Sequence, residues 1–311
     1  MIPTLLFSLR LQYLIGMLFL LVFIGGCQKN IDDSSTKSKF IQTTIAEDTL
    51  SLGSISNVVQ NEQLNYTPFI NFLSDSLKEL GITHIRLEVV RSIDEMIDLI
   101  KKGKIDFYAD SPYPAATVLK STDMIELFLK QYKGGAEYYN SVIFVRKDSG
   151  INSISELKGK LVGFEKKYST SGYVLPYNSL SEMGLKFNYI EFQDTPLKST
   201  QINYIFTGDD ENTMYWVLSK KIDAGVSDNI SFFQYAGASS GEIKIIYESE
   251  KVPRHLVMVR KSLDEKIKER LYSLLLNMDD YEYGRVVLKN YFGSAKFDTL
   301  NSFDIFSINK F

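Results

Sequence analysis

From Thr49 onward, short apolar runs alternate with stretches whose apolar residues recur at helical spacing, and this alternation constrains the fold most. Side chains repeat every two residues along a strand and about every 3.6 along a helix, so the two patterns do not interchange. Leu50–Ile55, His84–Val90, Ile105–Ala109, Ser141–Arg146 and Leu161–Phe164 read as strands. Further strands are expected at Ile202–Phe206, Ala224–Val226, Ile243–Tyr247 and Leu256–Val259. Phe69, Phe72, Leu73, Leu77 and Leu80 share one face of a helix over Pro68–Leu80. Other helices are expected at Ile93–Lys102, from near Ala115, at Thr213–Ser219 and over Leu263–Asn277, with a short one at Ile154–Leu157. Such alternation implies an α/β fold.

A second strand–helix series begins near Ser141 and ends near Glu242. It suggests two lobes: 48–140 with 243–311 forming the first, and 141–242 inserted as the second. A cleft between lobes favours a small ligand, and the two crossing segments would act as its hinge.

The N-terminus reads as processing signal. Arg10 is the only charge before a mostly apolar run, Leu11–Ile24, which ends in Gly25-Gly26-Cys27. The run is short for a bilayer span, which needs about 20 apolar residues, and has the parts of a secretory leader over residues 1–26. An aliphatic residue, two small residues and Cys resemble the lipobox of bacterial lipoproteins. That resemblance implies cleavage before Cys27, lipid on its thiol, and an exported protein held at the periplasmic or outer face of a membrane. An uncleaved anchor or a buried structural Cys is the alternative. Residues 27–47 are polar and suit a tether. Cys27 is the only cysteine, so no disulfide forms within one chain. The formal net charge is −3 and no basic run suggests nucleic acid. The 20 Phe and 19 Tyr suit core and cleft lining.

The run Phe164-Glu165-Lys166-Lys167-Tyr168-Ser169-Thr170-Ser171-Gly172 places three hydroxyl residues between a strand and a helix start. Ser169 suits an N-cap, and first-turn N–H groups lack helical partners and can donate to an anion. Thr170 and Ser171 add hydroxyl donors, and Gly172 would allow close approach of a ligand to the backbone. Pro176 lies too deep for a simple first-turn proline, so the helix is expected to kink or restart there. An ordinary cap with no ligand fits the same residues.

Ser169-Thr170-Ser171-Gly172-Tyr173 with Leu175-Pro176 resembles the hydroxyl signature of the phosphonate/phosphite/phosphate-binding proteins of ABC transporters. Tyr138–Ser149 is similar to that family's run into the second lobe, and Ile154–Lys160 to its short helix and Lys-Gly-Lys turn. The resemblance extends from about Leu50 to Asp228. It implies a type II periplasmic-binding-protein fold, two α/β lobes closing on a small oxyanion, with Ser169, Thr170 and Ser171 holding it. By the same resemblance Ser111, Pro112 and Tyr113 cover the ligand from the first lobe and Tyr139 precedes the crossing strand. Asp228 falls where a carboxylate meets a distal amine. An ABC permease, or a membrane receptor kinase to which the same fold reports its ligand, is the implied partner of a monomer that needs no cofactor or metal. A sulfonate or another small organic anion is the alternative ligand.

One position departs from the family. Where members carry a phosphonate-binding histidine, this chain has Asp210. A carboxylate about 6 Å from an anion costs about 3 kcal/mol at an effective dielectric near 20, roughly a hundredfold in affinity. Asp210 would accept a proton from the oxyanion, pair with a ligand amine, or belong to an acidic loop that caps the helix near Thr213 and faces solvent. His84 and His255 lie elsewhere and read as structural.

Catalysis finds little support. Ser227-Asp228-Asn229 and Ser155-Glu156-Leu157-Lys158 match two elements of the penicillin-binding signature, but its Lys-Thr-Gly element is missing. Gly237-Ala238-Ser239-Ser240-Gly241 spells a nucleophile elbow yet leads into a strand, so it reads as a loop. Two histidines and one lipidated cysteine leave little for metal or nucleophilic chemistry.

Overall fold

Strand β1 (Thr49–Ile55) is buried on both faces along its interior, as befits a parallel strand with helices on either side. The structure, a computed structural model, describes residues 48–311. The expected leader, the tether and Cys27 lie outside the described residues.

Two six-stranded sheets make two lobes. In the first, β1 pairs in parallel with β2 (His84–Val90) and β3 (Phe107–Asp110). Strand β4 (Ile125–Gln131) enters the same sheet. The chain then crosses on β5 (Tyr138–Tyr139) into the second sheet, built from β6 (Ser141–Arg146), β7 (Leu161–Phe164), β8 (Phe187–Tyr189), β9 (Ile202–Phe206), β10 (Ala224–Asp228) and β11 (Ile243–Glu248). It returns on β12 (Val252–Pro253) and completes the first sheet with β13 (His255–Arg260) and β14 (Phe297–Asp298). The crossings β5 and β12 pair antiparallel, Val252 opposite Tyr139, giving a two-stranded connection where the hinge is expected.

The second lobe runs further than the expected end at 242. Ile243–Glu248 pairs antiparallel with β6 as the edge of the second sheet, so the return to the first lobe begins after Glu248. An apolar strand reads the same in either sheet, and only the pairing assigns it.

Helix α1 spans Val59–Leu77 and carries Pro68 inside it, so it starts nine residues before the expected Pro68. Its Phe69 stacks on Tyr291 with ring centroids 4.3 Å apart, in the core beneath the first sheet. Helices α2 (Ile93–Lys101) and α3 (Pro112–Ser121) follow, α3 starting at Pro112 rather than near Ala115. In the second lobe come α4 (Leu175–Glu182), α5 (Asp210–Leu218) and α6 (Asn229–Ala236). The chain ends with α7 (Glu265–Leu276), α8 (Glu282–Asn290) and α9 (Ser302–Ile308). The 237–241 segment, read as a loop, forms a 3-10 turn.

Many aromatics are core, as composition suggested. Phe164, Tyr173, Tyr177, Phe187 and Tyr204 pack edge-to-face and stacked against one another under β7–β9. Gly225 faces Gly163 across β10 and β7. A Cβ on Gly225 would lie 2.6 Å from the Phe144 ring and 2.8 Å from Thr213, so that layer requires a residue without a side chain.

Candidate ligand cleft

Strand β7 ends at Phe164, and the hydroxyl cluster follows it into α4. The Ser169 hydroxyl accepts from the Gly172 N–H at 2.9 Å, the expected cap. The first turn is wide: the Val174 N–H donates to the Ser169 carbonyl at 3.0 Å, five residues back, and Thr170–Val174 forms a π turn. The helix restarts as α4 at Leu175 with Pro176 in its first turn, where a missing N–H costs nothing. Gly172 serves a different end from the one expected. A Cβ there would sit 2.6 Å from that of Glu165, and the Glu165 N–H donates to the Gly172 carbonyl at 3.0 Å. Glu165, not open space, fills the approach to that glycine.

Thr170 carries the link between lobes. Its hydroxyl accepts from the Tyr113 N–H, in the first turn of α3, at 2.9 Å, and donates to the Ser111 hydroxyl at 3.0 Å. The Ser111 N–H and hydroxyl in turn donate to the Asp110 carboxylate. Two helix starts, one from each lobe, therefore face each other with Thr170 between them. Ser111 stands at the N-cap position of α3, but its hydroxyl is spent on this chain of bonds instead of on capping. Tyr113 contributes its backbone here, while its ring packs edge-on to Phe311.

Ser171 presents its carbonyl to the Ser141 hydroxyl. Tyr139 is fully buried in the hinge, with the hydroxyls of Ser171 and Thr170 close to its phenol. Burial pushes that phenol up to about 12, against the pull of Arg254. The Arg254 guanidinium lies over the Tyr139 ring, 4.4 Å from its centroid, and 3.7 Å from the Asp228 carboxylate. No motif marks Arg254, which pairs with residues far off in the chain, and the sequence reading missed it.

Asp228 is committed to structure. Its Oδ1 accepts from the N–H groups of Ile230 and Ser231 at 2.8 and 2.9 Å, and its Oδ2 from the Ser231 hydroxyl at 2.8 Å. With Arg254 alongside, these partners occupy most of the roughly four acceptor sites of a carboxylate.

The acidic loop divides its roles. Asp209 is the cap of α5, accepting from the Asn212 N–H at 2.7 Å. Asp210 turns inward instead of facing solvent, and accepts from the Ser227 hydroxyl at 2.8 Å. Burial first, then the negative fields of Glu165 and Asp228, push its carboxyl up to about 8. A raised pKa means that the folded chain holds this proton more tightly than the unfolded chain does. The stability contributed by that proton is complete below the ordinary carboxylate range and is lost as pH rises toward about 8. Asp210→Asn should therefore be more stable than the wild type at pH 8, by at least about 1 kcal/mol, and melt at a higher temperature. The difference should close near pH 4; melting curves separated by the same amount at both ends would contradict it.

Eight positions were expected at the site. The structure gathers Ser111, Tyr113, Tyr139 and Ser169–Ser171 at the junction of the lobes, where Asp228 meets Tyr139 through Arg254, while Asp210 lies in the second lobe under the fields of Glu165 and Asp228. Among the described residues, no group of three His, Cys, Asp or Glu side chains is placed to hold a metal.

The family model of the phosphonate periplasmic substrate-binding proteins of ABC transporters matches residues 56–304. The chain belongs to that family. The phosphonates-binding periplasmic protein of Escherichia coli K12 is 24% identical over 254 residues, which cover 78% of this chain and 70% of that protein. A structure of XAC2383 from Xanthomonas citri bound to chloride superposes with a TM-score of 0.78 at 24% identity, covering 85% of this chain and 95% of that one. PhnD1 from Prochlorococcus marinus in complex with methylphosphonate gives 0.66 at 18% identity, covering 85% and 98%. The fold is the type II periplasmic-binding-protein fold, as the hydroxyl signature implied. The family binds and delivers a substrate and is not enzymatic. Ser227-Asp228-Asn229 is accordingly the end of a strand and a helix cap, not part of a catalytic signature.

Proposed function

We propose that this chain captures a small anion of the phosphonate, phosphite or phosphate class in the cleft, is tethered to the membrane through lipid on Cys27, and hands the ligand to an ABC permease. One observation carries the reading: the Thr170 hydroxyl bridges the Tyr113 N–H at the start of α3 and Ser111. An N–H in the first turn of a helix is a ready donor to an oxyanion, and the π turn Thr170–Val174 that leads into α4 brings its own first N–H groups from the opposite lobe. An anion placed there would be held by both lobes at once. Contacts available only in the closed state are what allow a ligand to shift the equilibrium toward closure.

The inward carboxyl of Asp210 does not exclude an anion. Burial, Glu165 and Asp228 raise its pKa to about 8, so at neutral pH it carries its own proton and can donate it in a hydrogen bond to a ligand oxygen.

Calorimetric titration with phosphate, phosphite, methylphosphonate, 2-aminoethylphosphonate and an alkylsulfonate tests the proposal. A phosphorus oxyanion should bind at least about tenfold tighter than the sulfonate, a difference of about 1.4 kcal/mol. Tightest binding of the sulfonate, or no binding of any phosphorus compound, would overturn it.

A further inference from the structure

The turn Lys133–Gly135 follows β4 and leads to the hinge, with Gly134 and Gly135 both at positive φ. It delivers the Lys133 side chain to a partly open polar cavity of about 60 Å³ in the first lobe. Glu62, Asp110, Gln131 and His255 share the lining with Lys133. An ordered water needs about 10–15 Å³ on this measure. The cavity thus has room for about four or five heavy atoms, the size of one tetrahedral oxyanion. Asp110 connects it to the cleft, because its neighbour Ser111 receives the Thr170 hydroxyl.

Both carboxylates of this cavity already accept hydrogen bonds, while the Lys133 ammonium has donors to spare. Glu62 accepts from the Ser54 hydroxyl at 2.6 Å, and Asp110 accepts from the Tyr108 hydroxyl as well as from Ser111. The Lys133 ammonium has no salt-bridge partner among the described residues; it rests over the Phe292 ring, 4.5 Å from the centroid. An ammonium carries three donors and no acceptor. Buried His255 is held neutral by burial, Lys133 and Arg254, and a neutral imidazole still donates one N–H.

We propose that Lys133 is the cationic partner of the bound oxyanion, reaching it from the first lobe and taking the charge-neutralising part for which Asp210 is unsuited. This inference rests on the capture reading above and adds the residue that sets affinity for negative charge.

The groups facing Lys133 are Arg254 and His255 from the return strand, Asp110 and Glu62 from the first lobe, and Lys166 from the second. Burial, then Arg254, bring its pKa down to about 8, while the two carboxylates oppose the shift. The ammonium is therefore charged below about pH 8 and lost above it, and anion affinity should fall as pH rises through that value.

The test is calorimetry with phosphate and methylphosphonate on wild type, Lys133→Gln and Lys133→Arg between about pH 6.5 and 9.5. Lys133→Gln should bind both probes about tenfold or more weakly at pH 7. Lys133→Arg should keep most of the affinity, and the ratio of wild-type to Arg-variant affinity should drop above about pH 8, because guanidinium does not titrate there. Using the ratio cancels the ligand's own ionisation. Unchanged affinity in Lys133→Gln, with the wild type binding, overturns the role of Lys133 alone. If that variant does not fold, wild-type and Arg-variant profiles that run parallel overturn it. A folded wild type that binds neither these probes nor the other phosphorus compounds overturns the capture reading as well.

Discussion

Replacing Ser169, Thr170 and Ser171 together by alanine is expected to abolish binding while the chain remains folded. Each hydrogen bond to a charged group contributes about 1.5–3 kcal/mol, so losing two or three weakens the complex by about two to six decades, by the conversion of about 1.4 kcal/mol per decade. The cost to folding is smaller. The Ser169 cap on Gly172 is worth about 1 kcal/mol, and the bonds of Thr170 join lobes, not a core. The aromatic cluster beneath β7 and the turn's backbone bonds, Val174 to Ser169 and Glu165 to Gly172, remain. Calorimetry reads the affinity, and circular dichroism with thermal melting reads the fold. A folded triple variant with wild-type affinity for its best phosphorus ligand would remove the cluster from the site. Because Thr170 is also an interlobe contact, small-angle scattering of the variant should show a more open particle than the wild type.

The strands were legible because their apolar runs are short, uninterrupted and bounded by turn residues; β2, β6, β7 and β9 lie where the pattern placed them. Strand β4 escaped for a physical reason. Its sequence Ile-Glu-Leu-Phe-Leu-Lys-Gln puts a lysine at a buried position, and a charge among apolar residues breaks the pattern that marks a core strand. Helices α6, α8 and α9 are short and did not stand out from their flanks. The hydroxyl cluster could be read because cap, donors and proline lie within a few residues of each other. Arg254 and Lys133 could not. Each acts through partners brought together by the tertiary fold: Arg254 with Asp228 and Tyr139, Lys133 with Glu62 and Asp110. The direction of Asp210 was equally hidden, since three consecutive acids compete for one cap and only the backbone geometry awards it to Asp209.

Lys130 is where the largest loss of stability is expected. Its side chain is 3% exposed and bridges Glu137 and Asp304, the latter at 3.1 Å and itself wholly buried. Asp304 also closes a capping box with Asn301 at the start of α9, and Asn301 reaches the Tyr138 hydroxyl at 2.9 Å. The carbonyl of Glu137, beside the hinge strand β5, accepts from the Arg254 N–H at 2.8 Å. One buried lysine thus ties the C-terminal helix to the first-lobe root of the hinge. Lys130→Met keeps the length of the side chain and removes the charge, leaving Asp304 buried without its cation. Breaking a buried pair from one side costs about 3–5 kcal/mol, because the remaining charge is uncompensated. Lys130→Met with Asp304→Asn should recover much of that loss, since the stranded charge goes with its partner. Urea unfolding of the two single variants and the double variant measures the three values. A loss below about 1 kcal/mol in Lys130→Met would place the pair among exposed ion pairs of little worth. A double variant no more stable than Lys130→Met would show that the loss does not come from the stranded charge of Asp304.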